Sequence, residues 1–143
     1  MTALYDGLVR TVRDISVRPG KKAVVAFTDG NDNISMLTGD AAILRAKTAG
    51  VPIYTIAKGS DLQDETLGQL AAISKATGGM SFAIHSSSEM ANVFEKVFQD
   101  VVHGYLLAFQ PPGAEGHVWH TIEVVLKAPR ARKVRARDGY YPE

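Results

Sequence analysis

The chain has 143 residues, 45% of them hydrophobic, which is enough for one compact domain with its own core. Its 16 lysines and arginines oppose 15 acidic residues, and the net charge of +1 argues against a general nucleic-acid-binding protein. The absence of cysteine excludes disulfides, thiolate metal sites and cysteine nucleophiles, and no apolar run approaches the roughly 18 residues of a membrane span.

The first element, from Ala3 to about Val12, is predicted to be a helix because its large apolar residues recur at helical spacing. Thr2 occupies the N-cap position, where its hydroxyl can accept a backbone N–H. The charges of Asp6 and Arg10 interrupt the segment early, so it has no signal-peptide pattern.

Five consecutive apolar residues, Ala23 to Phe27, form the next element. A short apolar run without alternation predicts a strand buried on both faces, as in the middle of a parallel sheet. A polar loop follows immediately, and such sheets place their chemistry just beyond the carboxyl ends of the strands. Asp29 is therefore predicted to be a carboxylate at the rim of the sheet, with Gly30 allowing a sharp turn beside it.

Thr38 is predicted to cap a helix that runs to about Ala49 and ends at Gly50 in the left-handed conformation. Pro52 to Ala57 is the next predicted strand. The helix after it ends at Gly78-Gly79 and is predicted to present one shared face, made by Leu67, Leu70, Ala71 and Ser74.

Met80 to Ile84 is predicted to be a third buried strand. Ser86 and Glu89 then match a capping box ahead of the most clearly amphipathic helix of the chain. The apolar stripe of that helix comprises Met90, Val93, Phe94, Val97, Phe98 and Val101. We expect Phe94 and Phe98 to face the sheet, and Tyr105 to Phe109 to form a fourth strand.

The last section has a different pattern. Val118 to Lys127 alternates between apolar and polar residues, Pro129 interrupts the alternation, and Lys133 to Arg137 alternates again. This pattern predicts a β-hairpin added to the sheet edge or folded over one end. We therefore expect a single domain, residues 1–143, with an α/β core at 1–110 and a C-terminal β extension at 111–143.

Helices and strands alternate through the core in the order α-β-α-β-α-β-α-β. Right-handed crossovers between successive strands then give a parallel sheet with helices on both faces. The predicted fold class is α/β, a doubly wound and mostly parallel open sheet.

Three stretches of the chain resemble the von Willebrand factor type A (VWA) family. AVVAFTDGND looks like the strand and third metal loop of that family, and TALYDGL like its second metal loop and following helix. The ending, from YLLAFQP to VRARDGYYPE, is similar to the C-terminal part of a bacterial VWA-related subfamily. The family's first loop, D-x-S-x-S, has no match, so the chain is expected to begin partway into the domain.

The resemblance implies a metal-ion-dependent adhesion site for Mg²⁺ or Mn²⁺, whose open position accepts a carboxylate of the partner protein. Carried over, Thr2 contributes a hydroxyl contact and Asp29 a carboxylate, and the ligand-binding rim beside them comprises Gly30, Asn31 and Asp32. Two ligands rarely make a metal site, so we expect metal binding by this chain alone to be weak.

Other polar groupings are weaker candidates. The segment from Asp14 to Arg18 imitates the missing D-x-S-x-S loop, but an arginine replaces the second serine, and we interpret it as a connecting loop. His117 and His120 are three residues apart on a predicted strand, which points them to opposite faces and favours surface imidazoles. The basic residues near the C-terminus are interpreted as a solvated face that also protects a sheet edge: Arg130, Arg132, Lys133, Arg135 and Arg137.

These observations favour a non-catalytic module that binds a protein ligand through the loops at the strand carboxyl ends. The alternative is an enzyme domain, flavodoxin-like or hydrolase-like, although the chain has no nucleophile elbow, P-loop or dinucleotide fingerprint. A third reading is a truncated domain with no remaining binding role. The resemblance suggests an extracytoplasmic location.

An assembly is also expected. If the family's first strand is missing, the strand from Ala23 to Phe27 has a bare edge that can pair with another chain. We therefore expect a homodimer, formed either through this edge or by exchange of an element such as the helix from Ala3 to Val12.

Overall fold

The computed structural model describes residues 2–29, 31–59, 63–111, 116, 118–127 and 134–142. Four α-helices occur in these residues, with a short 3-10 turn at Ser87–Glu89: α1 (Leu4–Ser16), α2 (Gly39–Ala49), α3 (Asp64–Thr77) and α4 (Met90–His103). The described strands are β1 (Val24–Thr28), β2 (Ile53–Lys58), β3 (Ser81–Ile84), β4 (His120–Thr121) and β5 (Gly139–Tyr140). None of the described helices is both long and apolar enough to cross a membrane.

Strands β1, β2 and β3 form a parallel sheet in that order. Its registers place Phe27 beside Ile56 and Ile56 beside Phe82, so these three side chains lie in one row on the same face. The predicted α/β class, with helices alternating with the strands of a parallel sheet, is confirmed.

Helices cover both faces of this sheet. On one face, α1, α2 and α3 enclose a core that includes Leu8, Val24, Ile53 and Ile73. On the other face, α4 packs on β2 and β3. Its buried cluster consists of Tyr54, Ile56, Ile84, Val93 and Val97. Successive residues of a strand point to opposite faces, which is why neighbours in β2 belong to different cores.

The predicted helix ends depend on local signals, and the structure contains them. The hydroxyl of Thr38 accepts the N–H of Ala41 at the start of α2, and Gly50 ends that helix with φ 62°. Gly78 ends α3 with φ 83°, and Ser86 and Glu89 form the capping box ahead of α4. These residues satisfy backbone groups that a helix terminus leaves unpaired.

The prediction that the strand from Ala23 to Phe27 is buried on both faces is wrong. Val24 is buried against the α1 face, but Val25 is 40% exposed and Phe27 is 47% exposed on the other face. The reason is the position of β1 at the edge of the sheet, where α4 does not cover it. The third strand is also at an edge and is exposed at Ser81 and Ala83, so its predicted burial is wrong as well.

Two predicted helix faces also need correction. In α4, Val93 and Val97 face the sheet, whereas Phe94 is 49% exposed and Phe98 is 60% exposed. The apolar stripe of α4 is therefore wider than the part of the sheet it covers. In α3, Leu70 and Ser74 share the buried face, but Ala71, predicted to lie on the same face, is exposed, and Ile73 is in the core instead.

The start of α1 differs from the prediction as well. The helix runs from Leu4 to Ser16, and its N-cap residue is Ala3, which supplies no side-chain hydrogen bond. Thr2 therefore does not cap α1. The segment from Asp14 to Ser16 is the last turn of this helix and not part of a connecting loop.

The C-terminal section departs furthest from the predictions. Tyr105 to Phe109 forms no strand, and its large apolar side chains are exposed. The antiparallel partner of β4 is β5, at Gly139–Tyr140. The predicted strand at 133–137 is not observed in its described residues, 134–137, and Lys133 lies outside the described part of the chain.

Contacts with helix ends explain where residues 134–138 lie. The N–H of Asp138 bonds to the carbonyl of Ala76, its carboxylate pairs with Lys47 at 2.8 Å, and Arg135 pairs with Asp100. These partners lie in the C-terminal parts of α2, α3 and α4. The segment therefore crosses the end of the domain at which the parallel strands begin.

Truncations in α4 test its orientation. Val97→Ala should lower the free energy of unfolding by about 2 kcal/mol, because it removes buried methyl groups. Phe94→Ala should cost less, about 1 kcal/mol, because half of that residue is already in contact with water. Urea unfolding followed by circular dichroism measures both variants. A cost for Phe94→Ala above that of Val97→Ala would contradict the observed face.

Candidate functional site

Asp29 lies directly after β1, at the carboxyl end of the sheet, and its side chain is exposed. The strand before it is rigid, because β1 pairs with β2 along its whole length. Gly30, predicted to belong to the rim beside it, lies outside the described residues. The position of Asp29 gives a carboxylate that faces solvent from a fixed scaffold.

Asn31 is directed toward the start of α3. Its side-chain oxygen accepts hydrogen bonds from the backbone N–H of Gln63 at 3.2 Å and from the hydroxyl of Thr66 at 2.8 Å. Gln63 is the N-cap residue of α3 and makes no side-chain capping bond of its own. Asn31 therefore joins the loop after β1 to the first turn of α3.

Asp32 joins the same loop to the first turn of α1. One of its carboxylate oxygens accepts the N–H of Tyr5 at 2.9 Å and the hydroxyl of Ser35 at 2.6 Å. The other oxygen accepts the N–H groups of Ser35 and Ile34. Because Ala3 cannot cap α1, a carboxylate from a distant loop satisfies one of the helix's unpaired N–H groups.

These contacts control the ionisation of Asp32. Burial on its own would raise the pKa of the carboxyl group, but hydrogen bonds from Ser35, Tyr5 and Ile34 outweigh it and hold the pKa below its ordinary value of 3.8. Each of these bonds favours the charged form. Asp32 therefore stabilises the contact between its loop and α1, and both of its carboxylate oxygens already accept hydrogen bonds within the chain.

The start of α1 holds the loop in return. The carboxylate of Asp6 accepts the N–H groups of Met36 and Leu37 at 2.8 and 3.0 Å. The backbones of Thr2 and Asn33 are also linked, since the N–H of Asn33 bonds to the carbonyl of Thr2 at 3.1 Å. Together, residues 2–6 and residues 31–37 form an interlocked unit, which we call the clasp.

The clasp determines how Thr2, one of the two predicted metal donors, is placed relative to the loop that carries the other, Asp29. It brings Thr2 to the loop that carries Asp29, but it engages Thr2 through the backbone: its N–H donates to Asn33 Oδ1 at 2.8 Å. Asp6 and Asp32, the nearby carboxylates, are occupied by backbone N–H groups. In the part of the chain that the structure describes, no group of three or more His, Cys, Asp or Glu residues could hold a metal ion. These residues do not fit a tight Mg²⁺ or Mn²⁺ site.

Sequence reasoning identified the loop after β1 but missed Asp6 and Ser35. Asp6 lies in the first turn of α1, where an acidic residue is common because it complements the helix dipole. A series of Asn, Asp and Ser residues after a strand is also typical of side chains that cap backbone groups. Neither signal reveals that the two segments cap each other.

The remaining candidates lie elsewhere. His120 belongs to β4 and stacks on Tyr140 at 5.4 Å, so it is not simply a surface imidazole, and His117 lies outside the described residues. Arg135 forms an ion pair with Asp100, which also accepts a 2.6 Å hydrogen bond from Tyr54, so this arginine is not part of a purely solvated row. Burial and the bond to Asp100 raise the pKa of Tyr54 above its ordinary value.

The charges of the described residues differ between the two ends of the sheet. Four exposed acidic residues surround the carboxyl ends of the strands: Asp29, Asp40, Asp64 and Glu65. They stand against one lysine there, Lys58 at the end of β2. Lys47 and Lys75 occupy the last turns of α2 and α3, at the opposite end. This distribution complements the dipoles of the helices and makes the rim around Asp29 acidic.

Comparisons with known proteins agree with the fold. A family model for the von Willebrand factor type A domain matches residues 5–96. A solved structure described as an uncharacterized membrane spanning protein from Vibrio fischeri is similar, with a TM-score of 0.50 and 22% identity over 68% of this chain. The chain spans about half of that structure, 54% of its length, and the likeness at this identity concerns the fold alone. No curated protein matches the chain.

The clasp predicts different effects for two neighbouring carboxylates. Asp32→Ala should lower the free energy of unfolding by about 1–2 kcal/mol at neutral pH, as loss of a helix cap does. Asp29→Ala is the matched control and should change it by less than about 0.5 kcal/mol, because Asp29 is exposed. Equal losses in the two variants, measured by urea unfolding, would contradict the bracing role of Asp32.

The effect of Asp32→Ala should depend on pH. A carboxylate whose pKa is lowered by folding stabilises the folded state above its ordinary pKa of 3.8, and this contribution is lost as pH falls through the lower folded value. The difference in stability between wild type and Asp32→Ala should therefore be full at pH 6 and shrink as the pH falls below 3.8. A difference that stays constant over this range would show that the charge of Asp32 is not involved.

The donor set predicts a weak response to metal. Millimolar Mg²⁺ or Mn²⁺ should raise the free energy of unfolding by well under about 1 kcal/mol, because a weak ligand stabilises by only RT ln(1 + [L]/Kd). Thermal unfolding with and without the ion measures this effect. A calorimetric Kd in the low micromolar range that Asp29→Ala abolishes would show a complete site and refute the prediction.

Proposed function

The chain belongs to the von Willebrand factor type A family, and we propose that it is a non-catalytic module that binds a protein partner at the acidic rim. Domains of this family are generally protein-interaction or adhesion modules. The rim consists of the loops at the carboxyl ends of β1, β2 and β3.

One observation carries this proposal: Asp29 is exposed at the end of a rigid strand, while the next polar residues of its loop are engaged in bracing contacts. The clasp keeps the loop in one arrangement, so little conformational entropy is lost when a partner binds. Asp29 thus supplies a preorganised contact.

The charge of the rim indicates the chemistry of the partner. Asp40, Asp64 and Glu65 are exposed on the same side as Asp29 and add to its negative potential. Because the described donors do not fit a tight metal site, the proposed contact is direct. A segment of the partner with lysine or arginine side chains is favoured by this potential, which also accelerates its association.

The proposal includes self-association, with a second copy of this chain as partner on a different surface. Strand β1 lies at an edge of the described sheet, and its residues Val25 and Phe27 are exposed on one face. An apolar edge strand readily pairs with another chain.

A random-peptide display library, with the purified chain as bait, tests the rim. The selected peptides should be enriched in lysine and arginine, and Asp29→Ala should weaken their binding about tenfold, the effect of losing one charge-assisted hydrogen bond. Asp14→Ala, an exposed acid in the last turn of α1, is the matched control and should leave the Kd unchanged.

Peptides that bind wild type and Asp29→Ala equally well would place recognition outside the rim and refute the proposal. Conversion of a bound peptide into products by the chain would favour the enzyme alternative instead. Fluorescence anisotropy measures the Kd, and mass spectrometry of the incubated peptides detects turnover.

A further inference from the structure

We infer that the rim recognises an apolar side chain of its partner as well as a basic one, through Ile34 and Met36. Both residues lie in the loop after β1, where Met36 is 94% exposed and Ile34 is 48% exposed. The occupant is one segment of a partner protein in which a large apolar residue stands within a few positions of a lysine or arginine. This inference rests on the proposed binding at the rim and adds a second contact to it.

The outward direction of Ile34 and Met36 follows from their neighbours in the loop. Ser35, between them, is turned toward α1, and its hydroxyl accepts the N–H of Asp6 at 3.1 Å. Leu37 packs against the core that α1, α2 and α3 enclose. Burial therefore alternates along this stretch, and the two apolar side chains are left on the solvent side.

The clasp fixes the backbone beneath both side chains. Asp32 accepts the N–H of Ile34 at 3.3 Å, and Asp6 accepts the N–H of Met36 at 2.8 Å. Only side-chain rotamers remain to be ordered when a partner binds, so the entropic cost of this contact is small. Methionine also adapts to apolar surfaces of different shape, because its side chain is unbranched and flexible. The pair is therefore a preorganised apolar contact.

The position of the pair separates it from the exposed residues of β1. Its loop is held by the first turn of α1 and by the core on the α1 face of the sheet. Val25 and Phe27 are exposed on the opposite face, which α4 covers only in part. The exposure of Ile34 and Met36 is therefore unrelated to the uncovered part of that face.

Two exposed carboxylates bracket the apolar pair along the chain. Asp29 precedes it at the end of β1, and Asp40 follows it in the first turn of α2. A lysine or arginine close to the apolar residue of the partner is therefore favoured, whereas an anionic lipid surface is repelled. Charge accelerates the encounter, and burial of an apolar anchor then supplies affinity.

Variants of the pair test the inference with the peptides selected from the display library. These peptides should carry a large apolar residue within a few positions of their basic residues. Met36→Ser should raise their Kd about tenfold, the effect of losing one buried apolar side chain. Met36→Leu should bind as wild type does, because leucine offers a similar apolar surface. Val17→Ser, on a side chain 85% exposed at the C-terminal end of α1, is the matched control and should leave the Kd unchanged.

Salt separates the apolar contact from the charge of the rim. Raising the ionic strength from about 0.1 M to about 1 M shortens the Debye length from roughly 10 Å to roughly 3 Å. The loss of affinity caused by Asp29→Ala should therefore shrink in high salt, whereas the loss caused by Met36→Ser should persist, because burial of apolar surface is not screened. Both side chains are exposed, so urea unfolding should show that both variants keep nearly the stability of wild type.

Selected peptides that are basic without an apolar preference, and that bind Met36→Ser as tightly as wild type, would overturn this inference and leave the proposed binding at the rim intact. Peptides that lose affinity with Met36→Ser but not with Asp29→Ala would overturn both, because recognition would then involve the apolar pair alone. Partition of the chain onto phosphatidylcholine vesicles that Met36→Ser abolishes would assign the pair to a lipid surface and overturn the inference as well.

Discussion

Asp32 connects the two parts of the molecule that define the rim. The N-cap residue of helix α1 is Ala3, whose side chain cannot cap the helix. The loop after β1 leaves the sheet and enters no neighbouring strand, so its backbone groups need other partners. The carboxylate of Asp32 satisfies the N–H of Tyr5 and, with Ser35, shapes its own loop. Asp6 completes the arrangement from the helix side by holding Met36 and Leu37. The loop that follows Asp29 therefore depends on contacts with a helix that precedes β1 in the chain.

Features whose cause lies within a few residues were predictable. The cap at Thr38, the left-handed Gly50 and the Ser86–Glu89 box each depend on residues two to four positions apart, and all three occur. The burial of whole faces was less predictable, because it depends on which elements lie opposite. Phe27 and Phe94 are as apolar as buried residues elsewhere, yet α4 covers β2 and β3 through its Val93 face and leaves both rings half in solvent.

The same distinction applies to the candidate site. Asp29 was identified because the change from apolar to polar residues marks the end of a strand, and that change is visible along the chain. The role of Asp32 could not be identified from the sequence, since Tyr5 is 27 residues away and nothing local indicates that the two meet. The prediction that Thr2 caps α1 was wrong for a related reason. Its position before a helix suggests a cap, but Ala3 is the N-cap residue, and the N–H of Thr2 bonds to Asn33.

The clasp and the C-terminal segment also determine where each chain end leaves the fold. Thr2 is held against Asn33 beside the rim, whereas Arg135 and Asp138 are held at the far ends of the helices. An affinity tag fused before Thr2 would emerge beside Asn33, in the loop that follows Asp29, and compete with a ligand for space. Attachment to a sensor surface through the C-terminal end would instead leave the rim facing the solution. The end by which this chain is attached therefore affects how accessible the rim is in a binding assay.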